Sequence, residues 1–398
     1  MKRQPRKPRG DSGPGRKAGA GGTSPGTLDT WDEFLHAVSA CPRKIRRQAM
    51  VEAFLAASRR RGIPRVEGDR AIFLFRAQAE TVHLVGDMNG WHRKAAPMER
   101  IPGTDLFSLA ARFEPDARLD YKFLVDGKHW TLDPENPRQC HGGKGPNSEL
   151  AMPGYAPPPE IRHHPSIPHG RIETFHLPSR ALDTVYPVHV YLPPDYHNSR
   201  RHYPAVYFQD GFDYLHYGRA VEVLDACIAF GRTVPLIAVF ACPSNRAEEY
   251  INARRDAYRR FFVQRLVPFV DRAYRTNPVP PARLVVGDSY GANIAAVLAW
   301  RHPQTFAQCA WQSPAFWPNR WETQRMLVEG PPRPLRILSI WGTYELRDAT
   351  LQRRLDELSA ALAAKGCEYQ VVTRPAGHSW GLWRDTLPLL LAHFFPPK

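Results

Sequence analysis

The sequence predicts an α/β protein: a mostly parallel sheet with helices on both faces, preceded by a small β-sandwich. Three observations carry this. From about Arg171 onward, short apolar β-branched runs alternate with amphipathic stretches of helical length, the pattern of a parallel sheet covered on both sides. Between Ala71 and Asp126 the period is that of short strands separated by Gly, Asn, Asp and Pro turns. One apolar run, Leu284-Val285-Val286, empties into Gly287-Asp288-Ser289-Tyr290-Gly291, with a helix-compatible stretch, Ala292 to Arg301, directly behind it. At 398 residues, 43% of them hydrophobic, the chain can hold two domains with real cores.

Residues 1–28 carry Lys2, Arg3, Arg6, Lys7, Arg9, Arg16 and Lys17 against Asp11 alone, in a Gly/Pro-rich segment without apolar periodicity. This reads as a disordered, solubilising basic tail. It supplies much of the net charge of +15, so that charge does not point to a specific nucleic-acid site. Residues 29–66 read as a helical segment. Thr30-Trp31-Asp32-Glu33 has the form of a capping box and opens a pattern through Phe34, Leu35 and Val38. A second helix runs from about Lys44 to Arg61, where Gly62-Ile63-Pro64 stops it. Strands at Ile72 to Arg76, Thr81 to Val85, Leu106 to Arg112 and Tyr121 to Asp126 build a sandwich over 67–152. The Pro-rich stretch 153–170 reads as an interdomain linker. His163, His164, His169 and His176 lie in it or just beyond, without a convincing carboxylate partner, so no metal site is expected.

Over 171–398 the expected strands are Val188 to Leu192, Ala205 to Phe208, Leu236 to Phe240, the Leu284 run, Arg336 to Trp341 and Tyr369 to Thr373. Helices are expected at Ala220 to Phe230, Tyr258 to Tyr274, behind Ser289, at Leu351 to Lys365 and at Trp383 to Phe394. The six cysteines are scattered, with no C-x-x-C, and read as reduced, buried small hydrophobes of a cytoplasmic protein without zinc. No run approaches the roughly 18–20 apolar residues of a membrane helix. The N-terminus shows no apolar core of a secretory signal.

Glycines on both sides of Ser289 suit a sharp strand-to-helix turn, where a side chain would clash as the two elements pass. A serine at that apex presents its hydroxyl above the sheet, and the helix N-terminus behind it favours developing negative charge. Such a serine needs a base, and the base needs a third group to fix its tautomer, in the chain order serine, acid, histidine. Two later strands are expected. The first ends in Gly342-Thr343-Tyr344-Glu345-Leu346-Arg347-Asp348 and the second in Arg374-Pro375-Ala376-Gly377-His378. His378 is the expected base. Glu345 is the expected acid, with Asp348 as the alternative or as the cap of the following helix. The oxyanion needs two backbone donors. The Tyr290 N–H is one, and Gly211 or Phe212, after the strand Val206 to Phe208, supplies the other.

Five segments occur in order: Y-L-P-P-D-Y from Tyr191, F-Q-D-G from Phe208, N-R-A-E-E-Y from Asn245, G-D-S-Y-G-A from Gly287 and G-H-S-W-G-L-W-R from Gly377. Together they resemble the putative-esterase family of α/β-hydrolases, which includes enterochelin esterases, esterase D and feruloyl esterases. The resemblance spans roughly residues 171–396. It implies an α/β-hydrolase domain that hydrolyses carboxylic esters through an acyl-serine intermediate, with no cofactor. Ala292 stands where many members have a further glycine. The family's acid often sits in a G-T-x-E context, which supports Glu345.

V-H-L-V-G-D-M-N-G-W from Val82 and Y-K-F-L-V-D-G-K-H-W from Tyr121 resemble an isoamylase N-terminal or glycogen-binding immunoglobulin-like domain. That resemblance implies carbohydrate contacts at Trp91, Lys122, Trp130 and Asn147. The alternative is that the tryptophans anchor the sandwich or its contact with the catalytic domain. In enterochelin esterases the corresponding domain helps cover the active site, and the resemblance implies the same here. Arg246 and Tyr250 follow the strand Leu236 to Phe240 at the Ser289 face. Arg246 could hold an anionic or catecholate substrate, with Tyr250 or Trp380 stacking on its ring; alternatively Arg246 pairs with Glu249.

The expected activity is that of a serine esterase acting on a bulky small-molecule ester or lactone, siderophore-like substrates included. An acetyl or feruloyl sugar ester is the second expectation, and a catalytically silent carbohydrate-binding scaffold the third. No membrane partner is expected, and a homo-oligomer is compatible with the sequence.

Overall fold

A computed structural model of the chain describes residues 29–397. The basic tail expected over 1–28 lies outside the described residues. The capping box forms as expected: Thr30 Oγ1 accepts the Glu33 N–H at 3.2 Å, and Glu33 accepts the Thr30 N–H at 2.9 Å. The helices Trp31–Ala40 and Lys44–Arg61 lay Phe34, Phe54 and Leu55 against Ile72, Leu74 and Leu106 of the first sheet.

That sheet runs Arg65–Glu67, Arg70–Arg76, Leu106–Arg112, Glu99–Arg100. A second sheet runs Val82–Gly86, Arg118–Val125, Asn147–Ala151, Gln139–Cys140, with His129–Thr131 also pairing with Arg118–Val125. The two sheets share one core, in which Phe73 meets Tyr121 edge-on at 5.0 Å and Phe75 meets Phe123 at 4.6 Å. Because side chains alternate along a strand, Leu119, Tyr121 and Phe123 enter this core while Arg118, Asp120 and Lys122 take the opposite face. The larger C-terminal domain packs on that opposite face.

The large sheet has eight strands, numbered here within it: β1 Arg171–Ser179, β2 Thr184–Leu192, β3 Ala205–Phe208, β4 Ile237–Ala241, β5 Arg283–Asp288, β6 Gln308–Gln312, β7 Arg336–Gly342 and β8 Glu368–Arg374. Their spatial order is β1-β2-β4-β3-β5-β6-β7-β8, antiparallel over the first three and parallel from β4 to β8. Helices on each face bury two apolar layers against β3, β4 and β5, whose residues are all buried. The fold is the expected α/β-hydrolase sheet behind a β-rich front module.

Two local expectations need correction. Three strands follow Ser289, not two, because β6 intervenes before the Ile337 strand. The helix expected from Tyr258 to Tyr274 is broken into Arg255–Phe261, a wide π turn at Phe262–Leu266 and Val267–Ala273. Pro268 brings no N–H for the carbonyl one turn back, and the wider turn absorbs that mismatch. The segment expected as a linker, 153–170, makes contacts of its own. It buries Glu160 and Ile161 in a short turn, ties Tyr155 to Asp385 at 2.5 Å, and pairs His169 with Asp225 at 2.9 Å. Among the described residues no helix is long and apolar enough to cross a membrane, and no His/Cys/Asp/Glu group could hold a metal.

Candidate active site

The turn after β5 is built by steric necessity. Ser289 has φ 51° and ψ −115°, a strained conformation for a residue with a Cβ, costing of order 1–3 kcal/mol. It is held there by Ser289 N–H donating to Gln312 at 2.9 Å and by Ala315 N–H donating to the Ser289 carbonyl at 3.0 Å. A Cβ on Gly287 would lie 2.1 Å from the Gly291 backbone, and one on Gly291 would lie 2.6 Å from Asp210 Oδ2. Glycine at 287 lets strand and helix pass this closely, and glycine at 291 leaves room for Asp210. The helix Tyr290–Arg301 then starts at the serine, with its first N–H groups free of intrahelical partners.

Past β7 and β8 the acid and base loops meet. His378 Nδ1 lies 2.7 Å from Glu345 Oε2. The other carboxylate oxygen, Oε1, accepts the Ser313 hydroxyl at 2.6 Å and the Gly342 N–H at 2.9 Å. Ser313 is itself fixed, accepting the Trp383 indole N–H at 2.9 Å, and Trp383 stands edge-on to the His378 ring at 5.1 Å. With Nδ1–H donated to a carboxylate, Nε2 keeps its lone pair as a proton acceptor. Glu345 is nearly buried, whereas the His378 side chain is 36% exposed, so the base faces open space and its orienter does not. Asp348 takes the other of its two expected roles: it caps the helix Ala349–Ala364, accepting from the Thr350 and Leu351 N–H groups at 2.8 and 3.1 Å.

The loop after β3 carries the second candidate oxyanion donor. Asp210 sits at φ 56°, and a Cβ on Gly211 would come within 2.5 Å of the Phe240 backbone, so Gly211 is pressed onto the end of β4. The Phe212 N–H faces the thiol of Cys242, whose pKa burial pushes up to about 11.

Arg246 lies beneath this arrangement. Its Nε donates to Asp210 Oδ1 at 2.8 Å, and its Nη2 donates to the Asp288 carbonyl at 3.0 Å and to Asp288 Oδ2 at 3.3 Å. Burial and the charge of Asp210 push the Asp288 carboxyl well up, and Arg246 opposes that shift. Two arms of the Arg246 fork, Nε and Nη2, are thus engaged by the fold, while a third of its side chain stays exposed. The expected alternative, a pair with Glu249, does not form, since Glu249 accepts from the Tyr186 hydroxyl at 2.7 Å and the Ser244 N–H at 3.0 Å. Tyr250 is fully buried, with its hydroxyl accepting the Asp210 N–H at 3.0 Å, and cannot stack on a substrate. Trp380, 6% exposed between Tyr214, Tyr217 and Trp383, offers no free ring face either.

The four candidate carbohydrate residues divide. Trp91 donates its indole N–H to Asp87 at 2.8 Å, and Asn147 donates to Asp120 at 2.9 Å, so both side chains are tied within the front module. Lys122 is half-buried on the same sheet face. Trp130 alone among the four is an exposed large hydrophobic, at 44%, with Arg93 over its ring at 5.8 Å. Sequence reasoning missed Ser313, Trp383 and the two buried partners of Arg246, because each acts across a long stretch of chain.

A family profile described as "Putative esterase" matches residues 179–394. The protein YjcH of Bacillus subtilis, described as uncharacterized, is 26% identical over 224 residues, 52% of this chain and 91% of YjcH. Among solved structures, the enterobactin esterase FES of Shigella flexneri superposes with a TM-score of 0.69 at 21% identity, covering 82% of this chain and 92% of that one. The ferric enterobactin esterase of Salmonella typhimurium gives 0.67 at 20% identity, covering 82% and 94%. A ferulic acid esterase gives 0.51 at 20% identity, covering 57% and 98%. The profile spans more than half of the sequence and includes every element that carries the candidate triad: this chain belongs to the putative-esterase family and has its α/β-hydrolase fold.

Proposed function

We propose that the protein is a serine esterase that cleaves a bulky carboxylic ester or lactone through an acyl-serine intermediate. The observation that carries this reading is the 2.7 Å bond from His378 Nδ1 to a buried, fully hydrogen-bonded Glu345, on the same sheet edge as the strained Ser289.

In this mechanism Ser289 Oγ attacks the ester carbonyl carbon while its proton passes to His378 Nε2. The carbonyl oxygen becomes an oxyanion, held by the N–H of Tyr290 and that of Gly211 or Phe212, with no reorganisation needed during the step. The C–O bond to the alcohol breaks, His378 gives its proton to the departing alkoxide, and the acyl group stays on Ser289. Water then repeats the sequence, its proton going to His378, its oxygen to the acyl carbon, and Ser289 leaving with the proton returned. Glu345 stays ionised, fixing the tautomer and stabilising the imidazolium. No cofactor takes part.

The outer face of the front module, packed over the base loop, supports a substrate larger than a simple acetyl ester. The structural relatives are named as esterases of enterobactin and of ferulic acid, and a catecholate trilactone is the substrate class proposed first. The exposed Trp130 favours a second reading, a sugar ester guided by the front module. The six cysteines, all free and buried, support a reducing, cytoplasmic setting.

The test is an ester panel, including ferric and iron-free catecholate trilactones, feruloyl and acetyl sugars and p-nitrophenyl esters, run with wild type and Ser289→Ala. Turnover of the trilactones that Ser289→Ala abolishes supports the first reading. Preferential turnover of sugar esters that Trp130→Ala weakens moves the assignment to the second. A Ser289→Ala protein as active as wild type refutes the serine mechanism.

A further inference from the structure

The loop that carries His378 is shaped by side chains of the front module. Arg118, 2% exposed, reaches from the sandwich strand Arg118–Val125 into the start of the helix Trp380–Phe394. Its Nη1 donates to Ser379 Oγ at 3.0 Å and lies 2.6 Å from Asp120 Oδ1, while Nε and Nη2 hold Glu149 Oε2 at 3.0 and 2.6 Å. Its backbone N–H donates to the Pro375 carbonyl at 2.9 Å, forming an isolated bridge opposite Ala376.

The two glycines around the base explain themselves only through this contact. A Cβ on Gly377 would fall 2.1 Å from the Asp87 carboxyl carbon, and a Cβ on Gly381 would fall 2.0 Å from the Arg118 guanidinium carbon. Asp87 is locked in turn, accepting the Asp120 N–H at 2.7 Å and the Trp91 indole N–H at 2.8 Å. Front-module side chains therefore occupy the space on both sides of His378-Ser379-Trp380.

The acid loop is docked in the same way. Tyr344, next to Glu345, is buried in the sandwich core cluster and donates its hydroxyl to Glu114. Arg347 stacks over the Tyr344 ring at 3.6 Å and reaches Glu114 at 3.5 Å.

From these contacts we propose that the front module completes the catalytic centre. Arg118 and Asp87 are positioning residues that fix the 377–381 loop so that His378 meets Glu345, and Tyr344 fixes the Glu345 side of the same bond. The module is thus more than a cover over a self-sufficient hydrolase. The proposal rests on the serine-esterase reading for its kinetic arm, but its spectroscopic arm does not need turnover.

The test uses the full chain with Ser379→Ala, Gly381→Ala and Arg118→Lys. The lysine keeps one positive charge among Asp120 and Glu149 but cannot serve three partners with a fixed fork. Each variant is measured for kcat and KM on a p-nitrophenyl ester, for urea unfolding, and for the far-downfield proton resonance of the His378 Nδ1–H bonded to Glu345. The proposal expects cooperative unfolding, KM within about 2-fold, and kcat lowered by about 10-fold, the equivalent of one charge-assisted hydrogen bond. It also expects a shifted or lost Nδ1–H resonance. Wild-type kcat and an unchanged resonance in folded Ser379→Ala and Gly381→Ala would overturn it, whatever their unfolding midpoints. If Arg118→Lys does not fold, those two variants decide. A wild type with no ester turnover defeats the functional reading alone, and the resonance still reports on the positioning.

Discussion

Ser313 donates its hydroxyl to Glu345 Oε1 across 2.6 Å, on the side of the carboxylate away from His378. The carboxylate thus spends one oxygen on orienting the base and the other on being oriented. A hydrogen bond to a charged group contributes about 1.5–3 kcal/mol. Ser313→Ala is therefore expected to lower kcat by about 10- to 100-fold with little change in KM, by the tenfold-per-1.36 kcal/mol relation. Steady-state kinetics on a p-nitrophenyl ester checks this. Wild-type kcat in Ser313→Ala would mean that the Gly342 N–H alone suffices.

Arg246 links Asp210 and Asp288, the residues directly before Gly211 and Ser289, so under the proposed mechanism it is expected to set the spacing between the Gly211 loop and the Ser289 turn. Lysine cannot bridge both carboxylates in the same plane. Arg246→Lys should lose about 10²-fold in kcat, the scale of a misplaced oxyanion donor. Arg246→Met leaves two buried carboxylates uncompensated and should lose about 3–5 kcal/mol of stability. Urea unfolding of Arg246→Met, with and without Asp288→Asn, measures it; the double variant should recover part of the loss. An Arg246→Lys enzyme at wild-type kcat would show that the spacing is set elsewhere.

Burial raises the Asp133 carboxyl from 3.8 to about 6, although the Tyr121 hydroxyl donating at 2.6 Å pulls the other way. The folded state therefore binds that proton more tightly than the unfolded chain. Its contribution to stability is complete below about pH 4 and is lost as pH rises toward 6, by up to about 3 kcal/mol. Asp133→Asn should flatten the dependence of the urea midpoint on pH between about 4 and 6. An unchanged slope would assign that dependence to other groups.

The sequence made most of this fold legible where the determinants are local. Gly287 before Ser289 could be read because its cause, the close passage of strand and helix, lies within five residues, whereas Gly291 is also held to glycine by Asp210, about eighty residues away. The capping box at Thr30 and Glu33 and the strand Ala205–Phe208 are equally local and appear where expected. The strand Gln308–Gln312 escaped because glutamines at both ends break the apolar run. Gln312 is nonetheless buried, satisfied by the Tyr214 hydroxyl, the Trp383 carbonyl and Thr386, partners that no spacing rule brings together. Ser313 and Arg118 escaped for the same reason: their work is done on residues 32 and 261 positions away. Arg246 was legible as a residue that mattered, but its direction was not, since a guanidinium at this sheet edge serves substrate or scaffold depending on which carboxylates the fold brings beneath it.

The central claim is that Ser289 is a nucleophile activated by His378 and Glu345. The most direct measurement is the intact mass of the protein after a fluorophosphonate, followed by peptide mapping, in wild type, Ser289→Ala and His378→Ala. The account predicts one phosphonyl adduct per chain on Ser289 in wild type, none in Ser289→Ala, and strongly slowed labelling in His378→Ala. Absence of any adduct on folded wild-type protein, or an adduct that persists in Ser289→Ala, would contradict it.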